Sequence, residues 1–221
     1  MAVDAHTERH RGFSIKQSTV IDANKGVTWL AILILIAAYD QWSNGIAWVY
    51  FGMHGGYGLL WVAKSRLFPD KQWEERVGLA MAAATMAGLI AYWLPAWLIV
   101  SGNAGNPEPW LVGCCVMLYA IGVFLHFASD MQKYVSLQLR PGTLITEGLW
   151  GVVRNPNYLG ELCIYLSFAL LALQWAPFLV LALVFITVWV PSMRRKDASL
   201  SRYPEFAEYK LRTKLLIPGL V

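Results

Sequence analysis

Residues 151–165, GVVRNPNYLGELCIY, set an arginine, asparagines, tyrosines and a carboxylate where an apolar run begins. Asn155 before Pro156 reads as an N-cap and first helical position, because asparagine accepts from an orphan amide and proline has no amide to leave unpaired. Arg154 stands just before that start. Free backbone amides, a positive dipole end and a guanidinium together suit a phosphate or carboxylate. Farther along, Asn157 and Glu161 are four residues apart and Tyr158 and Glu161 three apart, so these side chains are helix neighbours, and Tyr165 continues the row one turn deeper. A carboxylate inside a membrane helix costs roughly 3 kcal/mol or more unless it meets a partner or an aqueous cavity. Glu161 is therefore expected to face inward, either as part of a site or as a hydrogen-bonding tie to Asn157 or a neighbouring helix.

Three further clusters carry chemistry. In VFLHFASDMQKY, His126, Asp130 and Lys133 or Tyr134 recur at helical spacing, either as a polar row or as a helix end entering the headgroups. In MHGGYG, His54 and Tyr57 are three apart among Gly55, Gly56 and Gly58. Small residues there permit close helix packing or a cavity, and a buried His or Tyr can donate a proton to a carbonyl. Arg194, Arg195, Lys196 and Asp197 leave the last apolar run together, as a membrane anchor or as the completion of an anion pocket beside Arg154.

The elements that position these groups follow from the apolar runs. Residues 77–107, 109–129 and 162–193 contain no Asp, Glu, Lys or Arg, and the whole chain is 57% hydrophobic with a mean hydropathy of +0.46. A bilayer core of about 30 Å is crossed by roughly 20 apolar residues in a helix. Backbone groups in lipid must pair internally, and these runs lack the alternation of barrel strands, so the class is all-α: a polytopic membrane helical bundle. About six spans are expected, near 26–40, 45–63, 77–101, 109–129, 157–173 and 176–192. Residues 1–25 form a cytoplasmic N-terminal segment, 26–129 a four-helix membrane half, and 130–221 a cofactor-binding half made of a helical hairpin and tail.

Basic residues gather in residues 64–76, 130–154 and 194–214, whereas DQWSNG, SGNAGNPEP and LQWAP contain none. The positive-inside rule thus puts both termini in the cytoplasm. In the tail, Pro204 opens a short helix in which Phe206 and Tyr209 share a face, suited to closing the cytoplasmic mouth of the bundle. The charged first 25 residues do not match a cleavable signal peptide and are expected to be retained. Cys114, Cys115 and Cys163 have no metal-ligand spacing and read as small buried core residues; no metal site is expected. Without an aromatic-interleaved basic face, nucleic acid is excluded as a partner, leaving membrane lipids and a lipophilic small molecule.

The run HFASDMQKYVSLQLRPGTLITEGLWGVVRNPNYLGELCIYLSFAL, followed by YPEFAEYKLRTKLLIP, resembles the C-terminal domain of the steroid 5α-reductase family over residues 122–218. The family's pattern is a helix ending in Ser-Asp, a Leu-Arg-Lys-Pro-Gly turn, for which this chain has Leu139-Arg140-Pro141-Gly142, an Asn-Tyr-x-Gly-Glu helix and a late Tyr-Pro before Ile-Pro. Such proteins use NADPH to reduce a C=C bond conjugated to a carbonyl. The resemblance implies that Asp130, Arg140, Arg154, Asn157, Tyr158 and Glu161 line or support the cofactor cavity. His126, Lys133, Arg195 and Lys196 join that expected cofactor set, and Tyr57, His54 and Glu161 form the expected catalytic set. No Rossmann glycine fingerprint is present, so the soluble dinucleotide fold is not implied. RNPNY is also similar to the Arg-His-Pro-x-Tyr element of membrane methyltransferases of isoprenylcysteine or phospholipids. Asn155 replaces the histidine, and the alternative cofactor is S-adenosylmethionine.

Overall fold

The computed structural model describes residues 14–220. Helix α1 spans Gln17–Ala38 and starts well before the expected position near residue 26. No glycine or proline interrupts residues 17–25, and Lys25, read from the sequence as an aqueous residue, is buried at 3% exposure. Just before it, β1 (Ser14–Lys16) pairs antiparallel with β2 (Arg76–Gly78), a small ribbon with no sequence signal.

Asn44 caps α2 (Gly45–Tyr50), accepting from the amides of Ile46 at 3.0 Å and Ala47 at 3.1 Å. The helix continues through a π turn, Phe51–Gly55, into α3, Gly56–Leu67. The single helix expected over 77–101 is two, α4 (Leu79–Ala91) and α5 (Leu94–Val100), broken at Tyr92 and Trp93. Pro95 has no amide to give Ala91, and its ring collides with that carbonyl.

Helix α6, Pro109–Leu139, runs ten residues past the expected end at 129, because its polar second half holds no breaker before Pro141 and Gly142. Helix α7 (Pro156–Ala172) ends on Leu173 in the left-handed conformation, φ 48°. The chain returns as α8 (Trp175–Val184), a π turn Phe185–Trp189 and α9 (Val190–Leu200), again longer than the sequence suggested. Helix α10, Phe206–Arg212, closes the chain with Phe206 and Tyr209 buried.

Among the described residues four helical stretches are long and apolar enough to cross a membrane: Gln17–Ala38, the α4–α5 run Leu79–Val100, Pro109–Leu139 and the α8–α9 run Trp175–Leu200. Their outer faces remain apolar, as Met117, Phe124, Leu183 and Ile186 show at more than half exposure. Apolar area of that extent suits lipid and not water, so this is an integral, all-α membrane protein. Cys114 departs from its expected burial: it shares the exposed stripe of α6 with Met117 and Ile121, whereas Cys115 is buried and Cys163 half-buried.

The centre belongs to α7, packed against α2, α5, α6 and α8. Its approach to α6 is a glycine crossing: a Cβ on Gly160 would lie 2.5 Å from the His126 amide nitrogen, and one on Gly122 2.7 Å from the Gly160 carbonyl oxygen. Helix α3 approaches α1 the same way, since a Cβ on Gly58 would lie 2.2 Å from the Lys25 carbonyl oxygen. Absent side chains let these backbones touch. The polar rows of α1, α3, α6 and α7 thereby meet in one interior.

Candidate active site

A cavity of about 350 Å³ opens where those four helices meet α4 and the α8–α9 helix. Pockets of this size hold drug-sized ligands. Its polar wall includes Lys25, Lys64, His126, Asp130, Asn157, Tyr158 and Glu161; its apolar wall is formed by Ala84, Gly88, Leu89, Val184 and Val188. A second cavity, of about 270 Å³, lies toward the tail and is lined by Lys133, Trp150, Lys196, Arg202 and Tyr209. The two share Asp70, Gln72, Asn157, Tyr158 and Ser192, so they form an interior chamber and its mouth.

Lys64 and Asp130 are ion-paired in the chamber, whereas Lys25 and Glu161 are held by tyrosines. Lys64 Nζ meets Asp130 Oδ2 at 2.7 Å, with the side chains 3% and 6% exposed, and His126 Nε2 stands 3.9 Å from the same carboxylate. His126 Nδ1 lies 3.2 Å from the Asn157 carbonyl, and its ring stacks on Trp61. Tyr57 donates to Glu161 Oε1 at 3.1 Å. Lys25 donates to the Tyr165 hydroxyl, 4.2 Å above the Tyr57 ring. Buried ions held in this way are retained at a desolvation cost that packing alone would not require.

Four buried polar atoms on this wall lack a hydrogen-bond partner among the described residues: the Tyr92 hydroxyl, His126 Nε2, Asp130 Oδ1 and Asn157 Oδ1. An unmet buried polar group costs about 1–3 kcal/mol. Their convergence on one hollow marks a place built to hold something polar.

At the mouth Lys133 reaches Asp70 at 2.5 Å. Burial would raise the Asp70 carboxyl, but the Lys133 ammonium outweighs it and holds the group below the usual carboxylate range. Lys196 lies 4.0 Å over the Trp150 ring and donates to the Arg154 carbonyl and to Asn155 Oδ1, each at 3.0 Å. Tyr209, pushed up to about 12 by burial, donates to the Trp150 carbonyl at 2.7 Å and seats α10 beneath the bundle.

The structure redistributes several expected site residues. His126, Asp130, Asn157, Tyr158 and Glu161 line the chamber, and Lys133 and Lys196 line the mouth. Arg154 is not free for an anion: its Nε and Nη2 meet the Asp197 carboxylate at 3.1 Å, and Nη1 donates to the Thr213 carbonyl. Asn155 occupies the N-cap position without capping, its amide donating instead to the Leu215 carbonyl at 2.9 Å. Both residues bind the tail to the start of α7. Arg140 is exposed and paired with Glu147, and Arg195 is exposed and bonded to Ser192; neither lines a cavity. His54 turns the other way, bonded to Tyr50 at 2.8 Å and stacked on Phe168, and Tyr57 supports Glu161 from outside the wall.

Arg154→Met strands the half-buried Asp197 and is expected to lower stability by about 3–5 kcal/mol, with tryptic cleavage of the tail quickened. Arg154→Lys does not restore it, because an ammonium cannot reproduce the planar fork. Exposed Arg195→Ala stays within about 0.5 kcal/mol. Thermal unfolding and limited proteolysis in detergent check all three.

Comparison with known proteins bears on this arrangement. The family model described as "Protein of unknown function (DUF1295)" matches residues 71–213, well over half of the chain. The chain belongs to the DUF1295 family. That is a steroid 5α-reductase-like family, and the DUF1295 match covers the mouth from Gln72 onward, the α6–α7 crossing and the Arg154 tie. Among curated proteins the chain is 37% identical over 125 residues to the cobalt-zinc-cadmium resistance protein CzcN of Cupriavidus metallidurans, covering 55% of this chain and 57% of that protein. It is 30% identical over 121 residues to the Delta(14)-sterol reductase of Methylotuvimicrobium alcaliphilum, covering 51% of this chain and 27% of that protein. The chain thus spans about half the length of one of these relatives and a quarter of the other.

Lys25 and Lys64 in this DUF1295 chain had no functional reading in the sequence. Each stood at the edge of an apolar run and passed for a boundary charge. A signal exists for Lys25: residues 17–25 contain no helix breaker, so the helix that buries Lys25 is continuous in the letters.

Proposed function

We propose that this DUF1295 protein is a membrane reductase that uses NADPH to saturate a C=C bond conjugated to a carbonyl in a lipophilic, steroid- or lipid-like molecule. The observation that carries the reading is the polarity gradient of one continuous hollow. Lys133, Lys196 and Arg202 stand at its mouth against the single carboxylate of Asp70, residues that carry unpartnered polar atoms line the chamber, and Ala84, Leu89, Val184 and Val188 form the chamber's apolar side. The named activity of the M. alcaliphilum relative supports the same class.

The residues present fit a reduced dinucleotide. Mouth cations and the opening turn of α7 suit anionic phosphates, and a net-cationic mouth disfavours a sulfonium. Asn157 and His126, chamber residues that each carry an unmet polar atom, suit a carboxamide-bearing ring. When bound, the cofactor supplies a hydride. The chain's own groups do the rest: Glu161 is aimed by Tyr57, Lys64 fixes Asp130, and the walls exclude water so that each hydrogen bond counts for more than in solution. A lipophilic substrate reaches the chamber from the bilayer, and both termini lie in the cytoplasm.

Purified protein in detergent, titrated with NADPH, NADH and S-adenosylmethionine, tests the reading through quenching of Trp61, Trp73 and Trp189 on the chamber wall. NADPH is expected to bind saturably and S-adenosylmethionine not to bind; the reverse overturns the assignment in favour of a methyltransferase. Glu161→Gln and Asn157→Ala are expected to fold yet bind NADPH about tenfold more weakly or worse, the size of a lost charge-assisted hydrogen bond. A non-enzymatic lipid-binding role instead moves only their melting temperatures.

A further inference from the structure

Lys25 is the most unusual group in the molecule. Its ammonium is buried at 3% exposure on the chamber wall, enclosed by the rings of Tyr57 at 4.2 Å, Trp61 at 5.1 Å and Tyr165 at 5.0 Å. The ammonium donates to the Tyr165 hydroxyl. An ammonium has only donors, so the Tyr165 oxygen must accept, and the tyrosine's own proton is left to point elsewhere. Tyr165 is 4% exposed and lines the same chamber. Its ring is clamped by Tyr92, stacked at 3.9 Å between centroids, and crossed edge-on by Tyr57.

We propose that the Tyr165 hydroxyl, backed by the Lys25 ammonium, is the acid that receives the substrate's carbonyl oxygen and gives it a proton. The inference rests on the reductase reading and deepens it. As a hydride from a reduced dihydropyridine bonds to the β-carbon, the C=C π pair forms a new double bond between the α-carbon and the carbonyl carbon, and the C=O π pair moves onto the carbonyl oxygen. The Tyr165 O–H bond breaks and its proton goes to that oxygen, giving an enol that tautomerises to the saturated carbonyl compound. The phenoxide left behind sits against a cation already in place. Lys25 returns a proton to it and is itself reprotonated by water entering through the mouth.

Other candidate donors lack this arrangement. The Tyr57 hydroxyl is engaged by Glu161 and does not line the chamber. Tyr92 lines it, but its hydroxyl has no partner among the described residues, so no cation stands behind it to hold a phenoxide. His54 is bonded to Tyr50 on the far side of the wall.

The test uses the full chain in detergent with two readouts. The first is the absorbance of an alkylated para-nitrophenol, whose phenolate mimics the enolate oxygen in a lipophilic body. Wild type is expected to bind it as the phenolate at a pH where the free probe in micelles is mostly neutral. Tyr165→Phe and Lys25→Met are each expected to abolish that spectral shift. The second is turnover: both variants are expected to lose a hundredfold or more in kcat, the range of a general acid, with NADPH affinity within about twofold of wild type. Tyr165→Phe keeps the ring and its stacking, so it reports even if Lys25→Met does not fold. An unchanged phenolate shift in Tyr165→Phe overturns the proposal, as does loss that follows Tyr92→Phe in place of Tyr165→Phe, or loss of NADPH binding in both variants. If wild type binds no NADPH but the shift still depends on Tyr165 and Lys25, the reductase reading fails while the donor pair stands as an oxyanion site.

Discussion

Gly160→Leu is expected to give no monodisperse protein in detergent, and Gly160→Ala to lose about 3 kcal/mol or more, the upper range for overpacking. The reason is that nothing flexible lies in the way. A Cβ at this position meets the His126 amide nitrogen at 2.5 Å, the Gly122 carbonyl oxygen at 2.6 Å and the His126 Cα at 2.9 Å, all backbone. Room can come only from parting α6 and α7. Those two helices carry His126 and Asp130 on one side and Asn157 and Glu161 on the other, so parting them dissolves the chamber too. Gly113 on the same α6 supplies the contrast: a Cβ there meets nothing within 4 Å, and Gly113→Leu is expected to fold normally. Size-exclusion profiles and melting curves of the three variants check this, and a folded Gly160→Leu would mean the helices are not packed as described.

The same crossing explains how much of the molecule was legible beforehand. Apolar runs without charge gave the helical membrane class, and the i, i+4 spacings of His126 with Asp130 and Asn157 with Glu161 gave the two rows that line the chamber. Such signals are local and survive reading one segment at a time. Errors arose where a residue's role depends on a distant partner. Arg154 looked like an anion site because Asp197, 43 positions away, could not be seen to occupy it. Lys25 looked aqueous because its acceptor, Tyr165, is 140 positions away. Long helices outrun their expected ends for a related reason: charge marks the edge of the bilayer in the letters, whereas Lys64 and Asp130 carry it inward by pairing with each other.

That pair yields the other large effect. Lys64→Met leaves Asp130 at 6% exposure without its cation, and Asp130→Leu leaves Lys64 at 3% exposure without its anion. Each is expected to cost about 3–5 kcal/mol, because an unpaired buried charge loses attraction and keeps its desolvation penalty. Combining them removes both charges, and apolar replacement of a whole buried pair is close to neutral. The double variant is therefore expected to melt near wild type and to regain most of what each single change lost, a strong coupling in a thermodynamic cycle. Binding separates structure from function at this point. Asp130 lines the chamber and its Oδ1 has no hydrogen-bond partner among the described residues, so stability restored in the double variant does not restore the polar wall. NADPH affinity is expected to stay low while the fold recovers. Recovery of both would reduce the pair to scaffolding and leave His126, Asn157 and Glu161 to carry the site.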